Sequence, residues 1–179
     1  MILKKLLNKC TIFALLCVYI TFEGFLVYCI MEKIVIGRFD KADFPALNLN
    51  DIAVKIDTGA YTSSIHCENI IEKDNEIHCS FLDEEHPLYD GKEIIFEDYD
   101  IVFVRSSNGI IQKRYQVQSN IRLFGKTFKI SLSLSDRQEM RYPVLIGRKF
   151  LTKKFIVDTE LTDVSYNQKV NEDKNSVKK

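Results

Sequence analysis

The segment Ile52-Ala53-Val54-Lys55-Ile56-Asp57-Thr58-Gly59-Ala60 begins as a strand and ends on an acid. Ile52, Val54 and Ile56 fall on one face of a two-residue repeat, which predicts a half-buried β-strand. Asp57 closes that strand. A small hydroxyl residue follows, then Gly59, whose missing Cβ permits a tight turn and close backbone approach. Such a turn presents a carboxylate from a rigid support and leaves nearby backbone N–H groups free to bond it. Two carboxylates held close together share one proton, so one can activate water as a general base while the other donates to a substrate carbonyl. An Asx-type turn at a strand end uses the same three residues, so Asp-Thr-Gly by itself does not separate catalysis from scaffolding.

Working outward, short β-rich runs recur at 34–36, 76–81, 93–96, 101–105, 112–119, 121–123, 127–134, 144–146 and 155–157. Strands this short and this frequent predict an all-β domain, a barrel or a sandwich. Asn108-Gly109 lies between two of them and signals a hairpin turn, because both residues tolerate positive φ. Gly125-Lys126 is expected to turn another. Helical candidates are few: a turn or two within 62–71, and a short helix at 148–154. Residues 167–179 hold two valines and no other apolar side chain, which predicts a solvated, disordered tail.

The chain has 179 residues, 46% hydrophobic and 28% charged, with 25 Lys+Arg against 25 Asp+Glu. One ordinary domain fits that length. With zero formal net charge there is no broad basic surface to attract phosphates, so no nucleic-acid partner is expected. Of the five cysteines, Cys10, Cys17 and Cys29 sit in the first thirty residues, leaving Cys67 and Cys79 for the remainder. That placement makes a poor disulfide framework, although a single Cys67–Cys79 bridge stays open.

Residues 11–31 carry one charge, Glu23, and match the roughly 20 residues that span a bilayer as a helix. Lys4, Lys5 and Lys9 precede the segment and Lys33, Arg38 and Lys41 follow it, so the distribution of positive charge does not orient it. Three readings remain: a membrane anchor through 11–31, a cleaved signal, or a true start at Met31, from which Met-Glu-Lys-Ile-Val-Ile-Gly-Arg reads as the opening of a soluble domain. A cytoplasmic location follows from the last reading and a single-pass anchor from the first. The domain layout is then a hydrophobic N-terminal segment at 1–31, an all-β domain at 32–166 and the tail at 167–179.

About ninety residues beyond Asp57 comes Tyr142-Pro143-Val144-Leu145-Ile146-Gly147-Arg148, an apolar strand ending in Gly-Arg. Ile36-Gly37-Arg38, Phe44-Pro45-Ala46-Leu47, Lys55 to Ser64, Arg105-Ser106-Ser107-Asn108-Gly109 and Ser135-Asp136-Arg137-Gln138-Glu139-Met140 accompany the pair in order. This succession resembles a bacterial family of retropepsin-like aspartic peptidases, commonly labelled ATP-dependent zinc proteases or RimK-associated proteases. The resemblance runs from Lys33 to about Asp158. It implies an acid-protease closed barrel with one or two short helices, here preceded by an N-terminal hydrophobic helix.

The resemblance also implies roles. Asp57 would supply half of a catalytic dyad, Thr58 would bond across a two-fold axis, and Gly59 would leave room for the substrate backbone. With one Asp-Thr-Gly per chain, a homodimer acting on a peptide or protein substrate follows. Asp136 is the alternative partner within the chain, or else an ion-pair partner of Arg137 or Arg148. Ala60, Tyr61 and the Ser107-Asn108-Gly109 turn are candidates for substrate contact, the turn serving as a flap or as a plain hairpin. Thr62, Ser63 and Ser64 either line a pocket or cap a short helix. Gly147 and Arg148 would support the turn from behind. Viral retropepsins pair that arginine with an acid soon after Asp-Thr-Gly-Ala; Tyr61 stands in the acid's place here, so Arg148 is expected to find another carboxylate.

The family label is not matched by its own chemistry. No His-Glu-x-x-His occurs, and His66-Cys67 with His78-Cys79 would need adjacent strand residues to face one ion, although they point to opposite faces. Gly125-Lys126-Thr127 ends like a phosphate loop, but Asn120 occupies the place of its first glycine. Neither a metal nor another cofactor is expected. Three functions remain in competition: an aspartic endopeptidase, a non-catalytic peptide-binding module on the same scaffold, and a zinc peptidase as the label says.

Overall fold

A computed structural model of the chain describes residues 19–21, 24–26, 33–105, 109, 111–136 and 142–176. It divides into two units, Met1–Ile34 and Val35–Lys179. In the first unit, β1 (Tyr19–Thr21) and β2 (Gly24–Leu26) pair antiparallel, Tyr19 opposite Leu26. This corrects the expected N-terminal helix. Aromatic and β-branched residues with a glycine at position 24 favour extended backbone over helix. Among the described residues no helix is long and apolar enough to cross a membrane. Met31 lies outside them.

The second unit is mostly strand. Its elements are β3 (Ile34–Ile36), β4 (Phe39–Phe44), β5 (Leu49–Asp57), β6 (Ser63–Lys73), β7 (Glu76–Phe81), β8 (Glu93–Phe96), β9 (Asp100–Arg105), β10 (Ile111–Leu123), β11 (Lys126–Ser135), β12 (Val144–Gly147) and β13 (Phe155–Val157). Two helices, α1 (Arg148–Leu151) and α2 (Val164–Ser176), complete it. Pairings run in the order β6, β12, β5, β4, β10, β11, and β11 then returns to β6 in parallel register with Leu132 opposite Ser63. Six strands are thus hydrogen-bonded in a cycle. β7 and β8 extend from β6, β9 extends from β10, and β3 pairs separately with β13.

Alternation explains the core. Ile52 and Val54 are fully buried and Ile56 nearly so, and Val117, Ile121, Leu132, Val144 and Ile146 are fully buried on the other strands. Each such side chain contributes about 1.5–3 kcal/mol by leaving water. Of the 62–71 segment, expected to be partly helical, all but Thr62 belongs to β6, where Ser63 to Cys67 are buried without a break. The two runs expected at 112–119 and 121–123 are one strand, β10. Hairpins turn on residues at positive φ: Phe124 (52°) and Gly125 (66°) join β10 to β11, one residue earlier than the sequence suggests, and Asp74 (53°) and Asn75 (63°) join β6 to β7.

The tail expected to be disordered is helix through Ser176. Its weak apolar pattern is compensated from another strand. Asp40, 2% exposed, accepts from the Ser165 N–H at 2.9 Å and the Tyr166 N–H at 3.0 Å, satisfying first-turn donors that the helix cannot satisfy itself. One turn on, Lys169 Nζ donates to Asp43 Oδ1 at 2.9 Å and Asp51 Oδ1 at 2.8 Å. The Ser165 hydroxyl in turn accepts from Phe124 N–H at 2.7 Å.

Candidate active site

β5 delivers Asp57 to the end of the sheet, and the chain folds back immediately. Asp57 Oδ1 accepts from the Gly59 N–H at 2.9 Å and the Ala60 N–H at 3.1 Å. Among the described residues Oδ2 has no protein donor. The carboxylate is therefore fixed through one oxygen, and the other is left for a proton, a water or a second acid.

β12 lies parallel to β5 with Ile146 opposite Ile56 and Gly147 opposite Asp57. A Cβ on Gly147 would come within 2.5 Å of Thr62 backbone atoms, so only glycine lets the two segments pack at this distance. The Gly147 N–H donates to Ser63 Oγ at 3.0 Å. Beyond it, the Arg148 N–H donates to Ala60 O at 2.9 Å and the Lys149 N–H to Tyr61 O at 3.0 Å. Arg148 Nη1 reaches Thr58 O at 3.0 Å and Gly59 O at 3.1 Å. Every carbonyl from Thr58 to Tyr61 is thus held by residue 148 or 149. Among the described residues no carboxylate pairs with Arg148, where one was expected. With no acid at position 61, its guanidinium satisfies turn carbonyls that the sheet ladder leaves over.

Of the other predicted residues, Thr58 is exposed and Tyr61 is 63% exposed, beside the turn. Asp136 is exposed at the end of β11. Leu132 is level with Ser63, so Asp136 lies four residues further along β11, about 13 Å away along the strand at about 3.3 Å per residue. The register does not bring it to Asp57. Ser107, Asn108 and Arg137 lie outside the described residues; Gly109 has φ of 79°, as a hairpin turn requires. Thr62, Ser63 and Ser64 cap no helix: the latter two open β6, and Ser63 supports Gly147. Its sequence signal is weak, a serine opening a strand after a turn. Lys149 contributes through its backbone, which no side-chain pattern announces.

The three histidines serve separate purposes. His66 is buried, its Nε2 3.2 Å from Asp83 Oδ2 and its Nδ1 3.4 Å from Ser135 O. His78 lies between Glu76 (3.6 Å) and Glu93 (3.3 Å), and His86 Nδ1 accepts from the Leu88 N–H at 3.1 Å. Cys67 and Cys79 are free and buried, and burial pushes the Cys67 thiol up. Among the described residues no group of three or more His, Cys, Asp or Glu is arranged to hold a metal ion. Cys67 and Cys79 are side-chain neighbours, but among the described residues no histidine completes a metal-holding set with them.

An Asp-Thr-Gly turn on a strand end, backed by a parallel Gly-Arg strand inside a mostly β domain, defines the retropepsin-like class. The family model of the retropepsin-like aspartic endopeptidase RimB matches residues 35–168, and the chain belongs to this RimB-like family. Two curated relatives are named probable alpha-L-glutamate ligases. The one from Shewanella halifaxensis is 38% identical over 133 residues, 71% of this chain and 29% of that protein. The one from Parasynechococcus marenigrum is 32% identical over 135 residues, 72% of this chain and 28% of that protein. The chain thus spans less than a third of the length of these relatives. A crystal structure of Lpg0085 from Legionella pneumophila, described as of unknown function, is similar with a TM-score of 0.58 and 27% identity, covering 75% of this chain and 99% of that one.

Proposed function

We propose that the domain is an aspartic endopeptidase that hydrolyses peptide or similar amide bonds with a water activated by an Asp57-centred carboxylate pair. The observation that carries this reading is the fixed acid: Oδ1 held by two backbone N–H groups, on a turn whose four carbonyls are tied to residues 148 and 149. A carboxylate so held needs little reorganisation when charge moves onto or off it. The ionised acid takes a proton from water while the oxygen attacks the scissile carbonyl carbon. A protonated second acid gives its proton to the carbonyl oxygen. Collapse of the tetrahedral species breaks the C–N bond, and the amine leaves with a proton.

The second acid comes from Asp57 of another copy of the chain, with Thr58 beside the two-fold axis; the distance of Asp136 along β11 argues for that arrangement. The names of the curated relatives suggest peptides bearing added glutamate as a substrate class. Asp57→Asn tests the mechanism, because it keeps the shape of the side chain and removes the acid. Cleavage of a peptide library should fall by at least about 10³-fold, the scale seen when a residue of a catalytic set is lost. Cleavage at the wild-type rate would end the proposal, and loss of wild-type cleavage on adding a chelator would favour the zinc reading instead.

A further inference from the structure

Away from the catalytic turn, the face of β10 and β11 opposite Val117 and Leu132 carries a cavity of about 100 Å³. Its lining includes Gln116, Lys129 and Ser131 from the two strands, Thr62 from the return of the catalytic turn, and Lys149 and Lys154 from α1 and the residues just beyond it. Three ammonium-bearing side chains border it and no acid does. Lys129 and Lys149 are exposed, so solvent screens their charges, and the Lys154 ammonium lies over the Phe150 ring at 5.0 Å; together the three give the cavity a positive border. Lys154 Nζ donates once, to Phe150 O at 2.8 Å, which leaves it further N–H directions.

Gln116 is the second, independent observation. Its residue is only 6% exposed, it borders the cavity, and no hydrogen bond engages its side-chain amide among the described residues. Neither amide atom is sealed from solvent, so the amide opens onto the cavity and is available to a ligand. The Thr62 hydroxyl, also on the lining, is likewise unengaged among the described residues. Both groups can donate to an anion that enters between the lysines.

We propose that this cavity is a binding site for an oxyanion, a carboxylate or a phosphate group, separate from the Asp57 carboxylate. The oxyanion accepts from the Gln116 amide and the Thr62 hydroxyl while Lys129, Lys149 and Lys154 supply the charge. Because Thr62 and α1 belong to the two segments that clamp the catalytic turn, an occupant bridges them.

The test is a titration of the full chain with inorganic phosphate and, separately, with succinate, followed by the Gln116 side-chain ¹H–¹⁵N signal and by the melting temperature. Chloride at equal ionic strength is the control. At least one oxyanion should shift the Gln116 signal saturably and raise the melting temperature, as any ligand of the folded state does. A response to phosphate alone or to succinate alone identifies the source; a response to both assigns the site to oxyanions in general. The variant Lys129→Gln/Lys149→Gln should bind at least tenfold more weakly. Both side chains are exposed and their ammonium groups make no hydrogen bond among the described residues, so the fold is kept; the two single substitutions serve if the double variant expresses poorly. No saturable shift with either anion up to about 10 mM, perturbation mapping elsewhere, or equal affinity in the variants overturns the proposal. None of these readouts depends on catalysis, so the outcome is independent of the result for Asp57→Asn.

Discussion

A methyl group at position 147 would collide with the Thr62 carbonyl group, whereas one at position 59 would meet only Asp57 Oδ1, at 3.2 Å. The two alanine variants should therefore fail differently. Gly147→Ala overpacks backbone against backbone, and an unfolding free energy lower by about 1–3 kcal/mol is expected, with activity lost alongside stability. Gly59→Ala should unfold within about 1 kcal/mol of the wild type yet lose most of its cleavage, because the carboxylate is what must yield. Denaturant titrations paired with initial rates separate the two. At this scale the sequence reads well for Asp57, Thr58, Gly59 and Gly147, whose types and order are the requirement itself. It reads poorly for Arg148, whose partners are backbone oxygens 89 and 90 residues away that no side-chain identity reveals.

Elements show a similar division. Strands β5, β7, β8 and β12 follow from alternation or from short apolar runs bounded by turn residues. β4 is missed because Asp40 and Asp43 interrupt its pattern, and α2 is missed because little in its own composition requires it; each explains the other. Asp40→Ala removes the helix cap, and a loss of about 0.5–2 kcal/mol in stability together with lower helical ellipticity is expected. Burial is the largest influence on the Asp40 carboxyl and raises its pKa, against three backbone N–H bonds that lower it. The sign follows from linkage: the folded state holds the proton more tightly than the unfolded chain. The Asp40 contribution is thus fully present below the unfolded pKa and declines as pH rises through the folded one. The stability difference between wild type and Asp40→Asn should shrink from pH 4 upward, measured by urea midpoints at several pH values. A difference that grows with pH would show that the backbone donors outweigh burial.

For the whole molecule, the mostly β architecture and the retropepsin-like assignment are legible because ordered motifs span the domain. The assembly is not, because a single chain carries one Asp-Thr-Gly and its sequence does not say which acid completes the proposed pair. If two chains complete the site, specific activity should fall on dilution in step with the dimer fraction measured by sedimentation, and mixing wild type with excess Asp57→Asn should depress it further. Specific activity that is constant across dilution while the protein sediments as a monomer would place both acids in one chain. The tie between the acid turn and residues 148–149 also bears on synthesis. A ribosome emits Asp57 long before the residues that grip it, and the loop between them closes only when the intervening strands have paired. A truncated or half-made copy therefore carries the acid without its harness, and under the proposed function such unfinished chains should not cut.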